Sequence, residues 1–183
     1  MLEPNFAAFP EITTERLLLR KITYADAPAI LQLRSDERVM QYIDKERAVT
    51  LADAEAFINR VTQSLNTNDG ITWGIAFKDS PETLLGSIGY WRLIKEHDRA
   101  EVGYMLNPVH WKKGIVKEAM LAILEYGKGH LKLHSIEAHI NPENAASAAI
   151  LTSTGYVKEA HFKENFFYNG VFRDTAIYSW LFA

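Results

Sequence analysis

Three lysines surround one glycine in the run Trp111-Lys112-Lys113-Gly114-Ile115-Val116-Lys117. Asn107-Pro108 breaks the chain just before it. Just after it, Val116, Ala119, Met120, Ile123 and Leu124 fall at the spacing of a helix with one buried face. The run therefore stands at a helix start, where the first amides have no partner inside the helix and attract an anion. Gly114 lets the backbone come close to a ligand. These residues suit a phosphate or pyrophosphate. They do not form a P-loop, because no glycine stands five residues before Gly114 and no Ser or Thr follows a Gly-Lys pair. The dinucleotide spacing G-x-G-x-x-G is absent as well.

A carboxylate precedes this turn. Strand alternation puts Glu101, Gly103 and Met105 on one face and Val102, Tyr104 and Leu106 on the other. Glu101 can take a proton from a substrate, or it can simply pair with Arg92 or Arg99. Further on, Asn144 and Ser147 stand three apart on one helix face. Asn144 is equally a good helix N-cap. Tyr156 offers a second hydroxyl. No metal site is expected. His130 and His134 are four apart, but Gly127 and Gly129 break the helix there. His134 and His139 would face opposite sides of a strand, and no acidic ligand falls at helical spacing.

Composition narrows the function classes. The 183 residues make one domain with a sizeable core. A net charge of −3 leaves no footprint for nucleic acid, so the abundant aromatic rings are read as core. The absence of cysteine removes disulfides, thiolate metal sites and a covalent cysteine mechanism. No apolar run has membrane-spanning length, and the first residues do not read as a signal peptide. No membrane partner and a cytoplasmic location are therefore expected.

These residues need elements to position them. Residues 1–12 hold two prolines and no period, and read as a loose arm before a single domain over 13–183. The period predicts a strand at 16–22, helices at 24–34 and 51–65, and strands at 71–77, 84–94 and 100–106. Thr23 with Asp26 and Thr50 are the helix caps. A long helix at 115–126 should stop at Gly127 and Gly129. A strand at 134–140, a helix at 143–154 and strands at 156–166 and 171–182 follow, the last two turning at Asn169-Gly170. Gly86 and Gly89 signal a bulge or a close backbone approach. This order makes an antiparallel meander and then one parallel crossover, a mixed α+β sheet of about seven strands flanked by four helices.

Glu-Val-Gly-Tyr, then Asn-Pro, then Trp-Lys-Lys-Gly-Ile-Val-Lys-Glu-Ala resembles the coenzyme A loop of the GNAT acetyltransferases. Thr14-Glu15-Arg16-Leu17-Leu18-Leu19-Arg20 resembles the first strand of the ribosomal-protein N-terminal acetyltransferase branch. Asn141-Pro142-Glu143-Asn144-Ala145-Ala146-Ser147, with Leu151 and Gly155-Tyr156, resembles that branch's second cofactor motif. The resemblance covers nearly the whole chain. It implies a twisted GNAT sheet whose parallel pair splays apart to hold coenzyme A, with acetyl-coenzyme A as cosubstrate. It also implies direct transfer to a primary amine, chiefly the α-amino group of a protein N-terminus. A polyamine or aminoglycoside acceptor, or a non-catalytic coenzyme A-binding module, is the alternative. By the same resemblance Glu101 is the base, acting through water, and Ser147 the acid. Met105, Leu106, Trp111, Lys112, Lys113, Gly114, Ile115, Val116, Lys117, Asn141, Asn144 and Ser147 contact the cofactor. Val116 replaces a usual Gly or Ala, and its branches would crowd the approach. Acceptor specificity is expected from residues 35–48 and 163–173. A homodimer is expected through the aromatic C-terminal hairpin.

Overall fold

The computed structural model describes residues 1–182, so Ala183, the last residue of the expected domain, lies outside them. The chain opens with β1 (Ile12–Thr13) and β2 (Leu17–Lys21), then α1 (Ala27–Ser35), α2 (Glu37–Met40) and α3 (Leu51–Asn66). Next come β3 (Ile71–Phe77), β4 (Gly86–Ile94), β5 (Arg99–Leu106) and α4 (Ile115–Tyr126). The fold closes with β6 (Ser135–Ile140), α5 (Ala145–Ser153), β7 (Val157–Tyr168) and β8 (Val171–Leu181). The mixed α+β order matches the expectation. The eighth strand is the two-residue β1. The fifth helix is the single turn α2, capped where Asp36 accepts from the Arg38 amide at 2.9 Å. Only Met40 of α2 is buried, so no apolar stripe marked that helix in the sequence.

All strands join one sheet in the order β1-β2-β3-β4-β5-β6-β8-β7, and every neighbouring pair is antiparallel except β5 and β6. One face carries α4 and α5 through Ile115, Val116, Ala119, Met120, Ile123, Leu124 and Leu151. The other carries α1 and α3 through Ala27, Ile30, Leu33, Ala54 and Ile58. Thr50 caps α3, with Asp53 bonding back to the Thr50 amide at 2.8 Å. Asp26 accepts from the Thr23 amide and is clamped by Arg20 at 2.7 Å.

Two expectations change and a third holds. The first residues have no regular structure, but they are anchored rather than loose. Leu2 and Phe6 are buried in the main core, and the Phe6 amide donates to Asn68 Oδ1 at 3.0 Å. Two apolar side chains in a proline-containing stretch give no period for the eye to find. Second, α4 ends at Tyr126 as expected, but Gly127 does not stop the helical path. Its backbone stays right-handed, and a wider π turn runs over Gly127–Leu131. A Cβ there would lie 2.6 Å from the Tyr90 hydroxyl, so this glycine makes room instead of a stop. Third, Gly86 and Gly89 do mark close approaches: a Cβ would lie 2.2 Å from the Met105 and Ile71 carbonyl oxygens respectively.

The parallel pair is short. Arg99, Ala100 and Glu101 face Ser135, Ile136 and Glu137, and there the pairing ends. β5 continues beside β4 to Leu106, while β6 continues beside β8 to Ile140. A wedge therefore opens in the sheet just beyond Glu101.

Candidate active site

Glu101 sits at the vertex of that wedge and is 6% exposed. Arg92 stands opposite it on β4 and Glu137 opposite it on β6. Arg99 pairs with Glu137 instead of Glu101, at 3.5 Å. His139 Nδ1 lies 3.9 Å from Glu101 Oε1. Burial pushes the Glu101 carboxyl above the usual range, and Glu137 adds to this. His139, Arg92 and the Trp91 indole oppose it. A carboxylate raised toward neutrality is a better proton acceptor for an amine than an ordinary surface one. Side-chain oxygen and nitrogen atoms of Glu101, Glu137 and His139 lie within 4.8 Å of one another, a cluster that the spacing of the histidines did not foretell.

Across the wedge, the Tyr104 hydroxyl and Ser147 Oγ are 2.5 Å apart. Ser147 is buried on the first turn of α5. Burial pushes the Tyr104 phenol up to about 12, against the opposing bond to Ser147, so it keeps its proton at neutral pH. Tyr104 was not singled out in the sequence. Its face on β5 was legible, but its partner lies 43 residues away. Asn144 is the N-cap of α5, its Oδ1 accepting from the Ser147 amide at 3.0 Å. Asn141 closes the preceding turn by accepting from the Glu143 amide at 2.9 Å. Tyr156 is buried against Met120, in keeping with a packing role.

The lysine turn has the geometry of an anion cradle. Lys112 and Gly114 are left-handed, at φ 59 and 73, and the latter immediately precedes α4. Among the described residues, no protein acceptor receives the amides of residues 112–117. Lys112, Lys113 and Lys117 are exposed around them. Val116 does not crowd the approach, because its side chain is buried in the core with that of Ile115. Trp111 Nε1 donates to the Leu106 carbonyl at 2.8 Å and ties the loop to the end of β5. Arg16 straps the other side, with Nη1 on the Lys113 carbonyl at 3.0 Å and Nε on Glu118 at 2.7 Å. Burial alone would raise the Glu118 carboxyl; bonds from Thr14 and Arg16 outweigh it and hold it low. Met105 and Leu106 side chains are buried, which leaves their main chain for any cofactor. The unpartnered amides, the lysines and the wedge fit the pyrophosphate and arm of coenzyme A.

A groove of about 530 Å³ opens at the end of β6, lined by Gln41, Tyr42, Asn141, Pro142, Glu143 and residues 171–174. It joins the two segments expected to choose the acceptor.

The family model for the acetyltransferase (GNAT) domain matches residues 16–157. The uncharacterized N-acetyltransferase YoaA of Bacillus subtilis is 36% identical over 171 residues, 93% of this chain and 96% of its own. A GNAT-family acetyltransferase structure from Bacillus anthracis superposes with a TM-score of 0.83 at 31% identity, covering 94% of this chain and 98% of that one. More distant relatives differ in acceptor. The spermidine N(1)-acetyltransferase of Vibrio cholerae is 26% identical, over 87% of this chain and 90% of its own. The [ribosomal protein uS5]-alanine N-acetyltransferase of Escherichia coli is 22% identical, over 91% and 88%. The ribosomal-protein branch is thus a distant likeness. With the wedge, the cradle and these matches together, the chain belongs to the GNAT family and is an acetyl-coenzyme A-dependent N-acetyltransferase.

Proposed function

We propose that this enzyme acetylates the α-amino group of a peptide chain, working as a homodimer in the cytoplasm. The observation that supports the chemistry is the wedge with Glu101 at its vertex and the Tyr104–Ser147 pair on its far side. The amine nitrogen attacks the thioester carbonyl carbon; the C–N bond forms as the C–S bond breaks. The amine proton passes through water to Glu101. The departing thiolate takes the Ser147 hydroxyl proton while the Tyr104 O–H, which keeps its own proton, hydrogen-bonds the oxygen left on Ser147; solvent then returns one proton to Ser147, balancing the one that Glu101 releases. The amides and lysines of residues 112–117 hold the phosphates, and the main chain of Met105 and Leu106 with Asn141 and Asn144 flanks the pantetheine arm.

Charge in the groove favours a peptide over a polyamine. A polyamine needs several unpaired carboxylates, but among the described residues lining the groove only Glu143 is an acidic side chain without an ion-pair partner. Asp36 pairs with Arg38 at 2.6 Å, Asp44 with Arg173 at 2.9 Å, and Asp174 with His161 at 2.7 Å. A peptide N-terminus brings one cation and then neutral backbone, which suits the mixed polar and aromatic lining. A panel of short peptides with free N-termini, run against spermidine in a thiol-release assay, tests this. At least tenfold higher kcat/KM for the best peptide is expected. The reverse order would reassign the enzyme to small amines.

The dimer reading rests on the β7–β8 hairpin. Phe162, Phe166, Phe167, Val171 and Phe172 are all exposed there, an apolar cluster larger than isolated surface residues make.

A further inference from the structure

Glu101 accepts a proton at each turnover and must lose it before the next, yet it is buried. The side chain that connects it to the surface is His139. The two stand on adjacent parallel strands, with His139 two residues beyond Glu137, the register partner of Glu101. The side chain of Glu101 is 8% exposed and that of His139 is 35% exposed. The two ring nitrogens face different carboxylates. Nδ1 lies 3.9 Å from Glu101 Oε1, and Nε2 lies 3.5 Å from Glu137 Oε1. Arg99, half-exposed, stands 3.5 Å from that same Glu137 oxygen. A line of proton-carrying groups thus runs from the wedge to water: Glu101, His139, Glu137.

We propose that His139 is the positioning residue that drains the proton from Glu101 to solvent and, while protonated, holds Glu101 as a carboxylate. This rests on Glu101 being the base. Neutral His139 takes the proton from Glu101 on Nδ1 and so becomes the imidazolium that holds Glu101 as a carboxylate; Nε2 then releases a proton to Glu137 or water, and exchange with solvent resets the tautomer, so charge and protons balance over the cycle. Imidazole is the side chain suited to this, because it exchanges protons near neutral pH through either nitrogen. Closing the gap to Glu101 to hydrogen-bond length takes about 1 Å of ring movement, which a partly exposed side chain can make. The charges facing Glu101 are Arg92 on β4 and Glu137 and His139 on β6, with the Trp91 indole bonding from β4. Arg92 also favours the carboxylate. Removing His139 therefore weakens the support for the ionised form without abolishing it.

The test compares His139→Ala, His139→Gln and Glu101→Gln in the thiol-release assay with the best peptide of the panel. Both His139 variants should lose about tenfold in kcat. Their acidic limb of kcat/KM should move to higher pH, because Glu101 then holds its proton more tightly. Added imidazole should restore the His139→Ala rate saturably and leave Glu101→Gln unchanged. His139 variants with wild-type kcat, an unmoved limb and no imidazole response would overturn the relay. So would an equal loss at every pH with no rescue. If Glu101→Gln is itself fully active, the reading of Glu101 as base fails first; if it is inactive while the His139 variants behave as wild type, the relay alone fails.

Discussion

Glu101 gains its chemical character from where β5 and β6 part. An acidic side chain on a solvent-facing strand has an ordinary carboxyl, but here burial dominates and lifts it. Glu101→Gln keeps the shape and removes the proton acceptor. It should lower kcat by about 10²-fold. The deficit should shrink at high pH, where more of the amine is already neutral. Steady-state pH profiles of both proteins measure this, and a small loss equal at all pH values would limit Glu101 to holding substrate. Single residues were legible in the sequence when their role follows from local position. Glu101 and Ser147 stood out because their places in a strand and a helix start could be read. Tyr104 and His139 did not, since each depends on a partner brought in by the sheet. The Tyr104–Ser147 bond joins β5 to α5, and His139 meets Glu101 only through the parallel register.

At the scale of elements, the start of α4 is the clearest case of sequence writing structure. Asn107-Pro108, Gly114 and the apolar stripe from Val116 placed that helix at the observed bounds. The stripe also explains why Val116 leaves the phosphate side open: position two of the helix belongs to the buried face. What the sequence could not supply was the strap. Arg16, Glu118 and the Lys113 carbonyl are joined from the residue before β2 across to α4, 102 residues apart at the widest. Gly114 tests the cradle cleanly. A Cβ there would come no closer than 3.5 Å to any neighbour, namely Arg16 Nη2, so space is not the constraint. Only the left-handed backbone at φ 73 is, and it costs an L side chain about 1–2 kcal/mol. The loop of Gly114→Ala relieves that strain by turning its amides out of line. Calorimetry should then report acetyl-coenzyme A binding weakened by about tenfold. Unchanged affinity would remove these amides from the phosphate site. The helix end was less legible, because a glycine that makes room for Tyr90 and a glycine that stops a helix look alike in sequence.

For the whole molecule, the hairpin of β7 and β8 is the part that the domain core does not explain. It sits at the edge of the sheet, and most of β7 is exposed. Its register shifts between Phe162 and Phe166, where Glu164 is left-handed at φ 49 and its amide is taken by Asp174 at 2.9 Å. Such a bulge, with Lys158, Glu159 and Lys163 along the strand, opposes edge-to-edge pairing with another sheet. A partner would instead meet the aromatic face, where Phe167 and Phe172 are in contact with ring centroids 4.9 Å apart. The aromatic density was visible in the sequence, but its exposure was not, since the same rings could have filled a core. A second copy covers them most simply, because a two-fold contact buries the same patch on both partners. Light scattering at micromolar concentration should give twice the 20.8 kDa chain mass. Phe167→Asp combined with Phe172→Asp should halve that mass while leaving the melting temperature of the monomer core within a few degrees, since both rings are exposed. A wild-type mass that stays monomeric as concentration rises would refute the dimer. Val171 and Phe172 also line the acceptor groove, so the aromatic cluster would then be assigned to gripping the peptide.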